Sequence, residues 1–191
     1  MSQERKQNLR EALILAGIEE INEFGANEFS VRRVAKACHV STAAPYKHFT
    51  DKKEFISAII DYVNAQWAEV QEQILAGCDQ HPRTQMVEVA VGYVKFLMEK
   101  PYYRSILMLK DAEFDNIYHK TRGQMSSRSQ QLERDFFSQC GWDAETQRRK
   151  LHLVRAVIFG TVFMFDTGEL EYSDAVMENL RYTIDREFDL N

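Results

Sequence analysis

Between positions 46 and 53, Tyr46, Lys47, His48, Lys52 and Lys53 offer a hydroxyl, an imidazole and three ammonium groups. Those groups hydrogen-bond phosphate oxygens. Just before them, Ala43 and Ala44 keep one face free of bulk, so a backbone here can approach another surface closely. The Thr42 methyl and Ala43 suit contact with a thymine methyl, and Arg32 carries the planar fork that pairs with guanine. Cations are mildly unfavourable where a helix begins. Lys52 and Lys53 at such a place therefore point to an anion, which the free N–H groups would also hold. This chemistry is recognition of a polyanion, not bond making. The chain has no Gly-rich phosphate loop, HExxH, CxxC or nucleophile elbow. His48, His81, His119 and His152 fall on separate elements. An enzyme, a cofactor and a metal site are not expected.

The segment that must position these groups is "HVSTAAPYKHFTDKKE", residues 39–54, and its neighbours. Apolar residues at 9, 13 and 16 and at 14, 18, 21 and 24 predict a helix over 4–24, closed by Gly25 as a left-handed C-terminal residue. Ser30 predicts the N-cap of a short second helix that His39-Val40 interrupts. Ser41 predicts the cap of a third helix over 42–49, with Pro45 in its first turns, where the missing N–H matters least. Val40 and Phe49 would be core. Asp51 predicts the cap of a fourth helix reaching about residue 75, with Ile56, Ile60, Val63, Trp67, Val70 and Ile74 on one stripe. Two short helices joined by a turn form a helix-turn-helix pattern. The stretch 77–82 marks a boundary, and helices follow at 83–99, 101–110, 112–139, 144–167 and 173–188. The expected fold is all-α, about nine helices, with a helix-turn-helix domain over 1–52 and a second helical domain over 53–191, to which the resemblance given below assigns ligand binding and dimerisation.

The totals agree with this plan. The 191 residues carry 24 Lys/Arg against 29 Asp/Glu, a net charge of −5. Residues 1–53 hold nine Lys/Arg and seven Asp/Glu, whereas the remainder holds 15 and 22. A basic end on an acidic body suits a protein that meets a polyanion with one face. Only 3 prolines and 8 glycines punctuate the chain, which favours long helices over many strands. Cys38, Cys78 and Cys140 are odd in number and lack metal spacing, so reduced thiols and a cytoplasmic location are expected. The most apolar run, residues 153–165, is about half a membrane span and contains Arg155.

The stretch "FSVRRVAKACHVSTAAPYKHFTDKKEFISAII" resembles the N-terminal domain of TetR/AcrR family transcriptional regulators over about residues 9–60. The resemblance implies phosphate contacts from Tyr46, Lys47, His48 and Lys52. It implies base reading by Thr42, Ala43 and Arg32, with Ser30 and Ala44 near the DNA backbone. One departure is His39, where the family usually has glycine; histidine tolerates positive φ at some cost.

Residues 82–188 are similar to the family's second domain only in outline. They are rich in Phe, Tyr and Met, which usually means ordinary core, but a helical bundle so lined can also hold an apolar pocket. The family resemblance tilts Tyr93, Phe96, Tyr103, Met108, Phe114, Phe159 and Phe163 toward pocket roles. Arg104 could orient a ligand; it, His119, Arg155 and Asp166 are equally explained as surface or interface groups. The last two helices carry more apolar surface than a small bundle needs. Leu151, Val154, Ile158, Val162, Leu180, Ile184 and Phe188 are the expected homodimer interface. The resulting expectation is a homodimeric repressor on a palindromic duplex, released by a small, largely apolar effector, with no membrane role. A ligand-independent or activating regulator, and a helical adaptor without DNA binding, remain alternatives.

Overall fold

The computed structural model describes residues 3–107 and 127–189. Among them are eight α-helices and one short 3-10 turn, and no strand. The helices are α1 (Gln3–Phe24), α2 (Val31–Ala37), α3 (Lys52–Gly77), α4 (Pro82–Glu99), α5 (Pro101–Leu107), α6 (Ser127–Cys140), α7 (Ala144–Asp166) and α8 (Asp174–Glu187); the 3-10 turn is Pro45–Lys47. Met108, Phe114 and His119 lie outside the described residues, as does most of the expected start of the helix over 112–139. No helix among the described residues is long and apolar enough to cross a membrane.

The chain divides into two compact units, and the division does not follow the expected cut after residue 52. One unit is Met1–Gln66 with Lys100–Gln124, the other Trp67–Glu99 with Met125–Asn191. The helix α3 is unbroken across that division. In the first unit, α5 packs on α1 and so joins a segment that follows α4 in the chain. Ile106 is fully buried there with Leu13, Ile14, Ile18, Phe55 and Ile59. Gly17 permits the approach of α1 to α3, since a Cβ at that position would sit 2.6 Å from Ile59 Cδ1. Phe55 anchors the aromatic centre, stacked on Phe49 at 4.0 Å and edge-on to Phe29 at 5.3 Å.

The second unit is built on α4, which packs against α6, α7 and α8. Its interior includes Val87, Val94, Leu97, Leu132, Phe136, Val154, Ile158, Val162, Leu180 and Ile184. Asp143 and Ser173 cap α7 and α8, their side-chain oxygens accepting from the N–H groups of Thr146 and Val176. Charged ties hold the helices together. Arg83 on α4 donates to Asp185 and Asp189, both at or beyond the end of α8, at 2.7 and 2.6 Å. Arg181 reaches Glu88 at 2.7 Å. Lys150, only 1 % exposed, is paired with Glu187 at 3.1 Å.

Candidate nucleic-acid interface

The frame of the helix-turn-helix is set by caps and a buried acid. Gly25 takes φ +78° and ends α1, its N–H donating to Ile21 O at 2.8 Å. Ser30 then caps α2, its Oγ accepting from Arg33 N at 3.3 Å. Behind it, the Glu20 carboxylate accepts from Ser30 N at 3.0 Å and from Arg33 Nε at 2.7 Å. Arg33 also lies over the Phe24 ring at 4.2 Å and donates to Glu28 O. The hydrogen bond to Glu20 is the main reason that Arg33 is more firmly protonated than usual. Of the adjacent pair Arg32-Arg33, one guanidinium thus holds the fold. Arg32 is exposed and has no acidic partner among the described residues.

Sequence reasoning passes over Glu20 and Arg33 as positioning residues. The available signal is an acid beside Ile21, on the side of α1 that carries the apolar stripe.

The turn after α2 depends on His39, which adopts φ +54°. This is the left-handed conformation that the departure from glycine implies. The residues after it differ from expectation. Ser41 does not cap a helix over 42–49; Thr42 and Ala43 lie in turns, and only Pro45–Lys47 forms a 3-10 turn. Pro45 is the reason. It is buried and has no N–H to donate, so regular α-helical bonding cannot run through it. The bonds that remain run from Ala44 N to Ser41 O at 2.9 Å, from Lys47 N to Ala44 O at 3.1 Å, and from His48 N and Phe49 N to Pro45 O at 2.9 and 3.0 Å. Phe49 is buried on Phe55, as expected of core, and half-buried Val40 packs against the same cluster.

Asp51 does cap α3, its Oδ1 accepting from Glu54 N at 2.8 Å. Glu54 reciprocates at Thr50, accepting from its N–H and hydroxyl, and these bonds hold the Glu54 carboxyl below its usual range.

Within this frame, Thr42, Ala43, Tyr46 and Lys47 are exposed, Tyr46 by 57 %. Ala44 and His48 are half-buried. Lys47 has no acidic partner among the described residues. Lys52 reaches back, its Nζ donating to Asn27 O at 3.0 Å. Burial first, then Arg10, Lys6 and Lys47, hold the His48 imidazole below its ordinary proton affinity. The surface therefore offers hydroxyl, guanidinium and ammonium groups outward, while its own backbone needs are met from behind.

The expected ligand residues are divided between the two units. Tyr93 and Phe96 belong to the second unit, where both rings pack on Trp67 at 4.8 and 5.4 Å. Tyr103 and Arg104 belong to the first unit, where Tyr103 meets Tyr62 edge-on at 6.5 Å. Phe159 and Phe163 do not line an interior, being 43 % and 63 % exposed.

The expected interface residues need the converse correction. Val154, Ile158, Val162, Leu180, Ile184 and Phe188 are buried within the single chain and leave little surface for a partner. At 3.6 residues per turn, Val154, Ile158 and Val162 form one side of α7, and Leu153, Phe159 and Phe163 the other. Leu151 is half-buried and lines an open groove of about 470 Å³ between α6 and α7, beside Glu133, Arg134 and Phe137. Arg155 lies 3.6 Å from Glu133, whose proton affinity burial raises and Arg155 opposes.

Residues 13–59 match the family model for bacterial regulatory proteins of the tetR family. No curated protein matches the chain. Among solved structures, a TetR family transcription regulator from Marinobacter aquaeolei VT8 is 19% identical with a TM-score of 0.78, over 97% of this chain and 98% of that one. A putative tetR family regulator from Shewanella sp. PV-4 is 11% identical, TM-score 0.74, over 92% and 95%. FadR from Bacillus subtilis, a transcriptional regulator solved with stearoyl-CoA, is 15% identical, TM-score 0.73, over 93% and 96%. The segment 13–59 of this chain thus matches the family model of the tetR regulatory proteins, and the whole chain has the fold of the solved tetR family regulators.

Proposed function

We propose that the chain is a DNA-binding transcriptional repressor that acts as a homodimer on a palindromic operator and is released by a small ligand. The observation that carries this reading is the outward set of Arg32, Thr42, Ala43, Tyr46 and Lys47 on a frame that satisfies its own caps. Tyr46 and Lys47 suit phosphates, and Thr42, Ala43 and Arg32 suit base edges. His48, Lys52, Ser30 and Ala44 complete the contact from half-buried or inward-bonded positions. One copy of such a surface reads a half-site, and a two-fold pair reads a palindrome.

The pairing surface is the outer side of α7, with Leu153, Phe159 and Phe163, together with exposed Tyr182 of α8. Large apolar side chains exposed in this number are the kind that an association site covers. For the ligand, the FadR relative was solved with stearoyl-CoA, so a long acyl-CoA is the first class to try. Tyr93 and Phe96 are the pocket residues proposed in the second unit. A ligand releases DNA only as far as it binds the released state more tightly.

The test is selection of bound fragments from random duplex DNA, then titration of the complex with stearoyl-CoA. Enrichment of one palindrome that acyl-CoA displaces supports every part of the reading. Enrichment without displacement removes the acyl ligand and leaves the DNA reader. Failure to enrich any duplex removes the reader.

A further inference from the structure

Two cations of α1 lie beside the helix-turn-helix motif and take no part in it. Lys6 and Arg10 are exposed and sit one turn apart, which puts them on one face of the helix. Arg10 Cζ is 5.4 Å from the centroid of the Phe49 ring, and the His48 ring is 6.2 Å from that same ring. The guanidinium and the imidazole therefore share one patch around Phe49. Lys6, Arg10 and Lys47 all act on His48, and each acts against its protonation; among the described residues no acid is one of the groups that act on it. Arg10 also acts on Glu54, whose carboxylate accepts from the Thr50 N–H and hydroxyl.

Such a cluster repels itself. Lys6 also stands in the first turn of α1, where the helix dipole disfavours a cation. The stacking of Arg10 on Phe49 accounts for Arg10 alone. It does not explain Lys6. An anion laid across the patch would relieve all of these at once.

We propose that Lys6 and Arg10 form, with Lys47 and His48, a phosphate-backbone contact that extends the duplex footprint from the helix-turn-helix onto α1. This rests on the reading of the motif as a DNA binder. In that role Lys6 and Arg10 carry no sequence information; they add affinity and salt dependence to whatever site Arg32, Thr42 and Ala43 select.

The experiment measures affinity against salt for a duplex that the wild-type chain selects from a random pool. It compares the wild type with the double variant Lys6→Gln/Arg10→Gln and with Lys95→Gln. Lys95 is an exposed cation on α4 in the second unit, 58 % accessible. The slope of log K against log salt is expected to shrink by about 0.9 for each phosphate no longer neutralised, so by roughly 1.8 per protomer in the double variant. It should stay unchanged in Lys95→Gln. Because Arg10 also packs on Phe49, Lys6→Gln alone decides the matter if the double variant melts early; it should remove about 0.9 per protomer. A wild-type slope retained in Lys6→Gln and in a folded double variant overturns this extension only. A wild-type chain that binds no duplex in a salt-dependent way overturns the extension and the DNA reading together.

Discussion

Six cations of the second unit lie against carboxylates, whereas several around the helix-turn-helix of the first do not. In the second unit, Arg83, Arg181, Arg155, Arg128, Lys95 and Lys150 each sit within 4 Å of a carboxylate. Several of these ties join different helices, as Arg83 joins α4 to Asp185 on α8. In the first unit, Arg33 is held in this way by Glu20. Arg32 and Lys47 have no acidic partner among the described residues, and the charged groups that act on His48 are all cations. A cation next to an acid is neutralised and serves the fold. A cation left among its own kind raises the local potential and waits for an external anion. The net charge of −5 conceals this division.

The contrast can be broken most forcefully at Lys150. Its ammonium is buried, bonded to Glu187, and lies 5.4 Å from the centre of the Trp142 ring. Lys150→Ala should cost about 3 kcal/mol, because the tie is removed and a cavity is opened around it. Thermal or urea unfolding measures it, and the duplex affinity of the folded fraction should not change. Next in size is the outer side of α7. Phe163→Ser should leave the stability of one chain within about 0.5 kcal/mol. It should weaken the homodimer by about 2 kcal/mol, roughly thirtyfold, as sedimentation equilibrium would record.

Lys47→Gln sharpens the contrast from the other side. Stability should hold within about 0.5 kcal/mol, while duplex affinity falls roughly tenfold as a charged hydrogen bond disappears. The smallest effect belongs to His48. Its folded proton affinity lies below the unfolded value near 6.5, with burial the largest cause. A group of this kind adds stability above the unfolded value, and that stability is lost as pH falls through the lower folded value. The melting temperature of the free protein should therefore drop as pH falls below 6.5, and His48→Gln should flatten part of that drop.

Much of the first unit is legible in the sequence because its signals are local. Ser30, Asp51 and Gly25 announce caps through their own side chains or lack of one, and each is found in that role. His39 is recognisable as a left-handed residue because it stands where the resembled family usually has glycine. What stays hidden needs partners distant in sequence. Nothing near Ile106 indicates that α5 packs on α1, and nothing near Glu20 indicates that it meets Ser30 and Arg33. The stretch 42–49 misleads because the weight of Pro45 depends on where the helix begins, which local caps leave ambiguous.

The α7 face misleads for a different reason. Both of its sides are apolar, so period alone marks two stripes and cannot say which one α4 will cover. The pattern assigns Val154, Ile158 and Val162 to a partner chain, and Phe159 and Phe163 to an interior, although the first set is buried and the second exposed.

The most direct test of the division is the salt dependence of duplex binding by the wild-type chain. Lys47 and Lys52 alone would give a dimer a slope of log K against log salt of about −3.6, and Lys6 and Arg10 would bring it near −7, while the uncharged Tyr46 and the weakly basic His48 add contacts without adding to the slope. A steep negative slope is the predicted result. Duplex affinity that does not change with salt, or no duplex binding at low salt, would contradict the assignment of the first unit's cations to DNA.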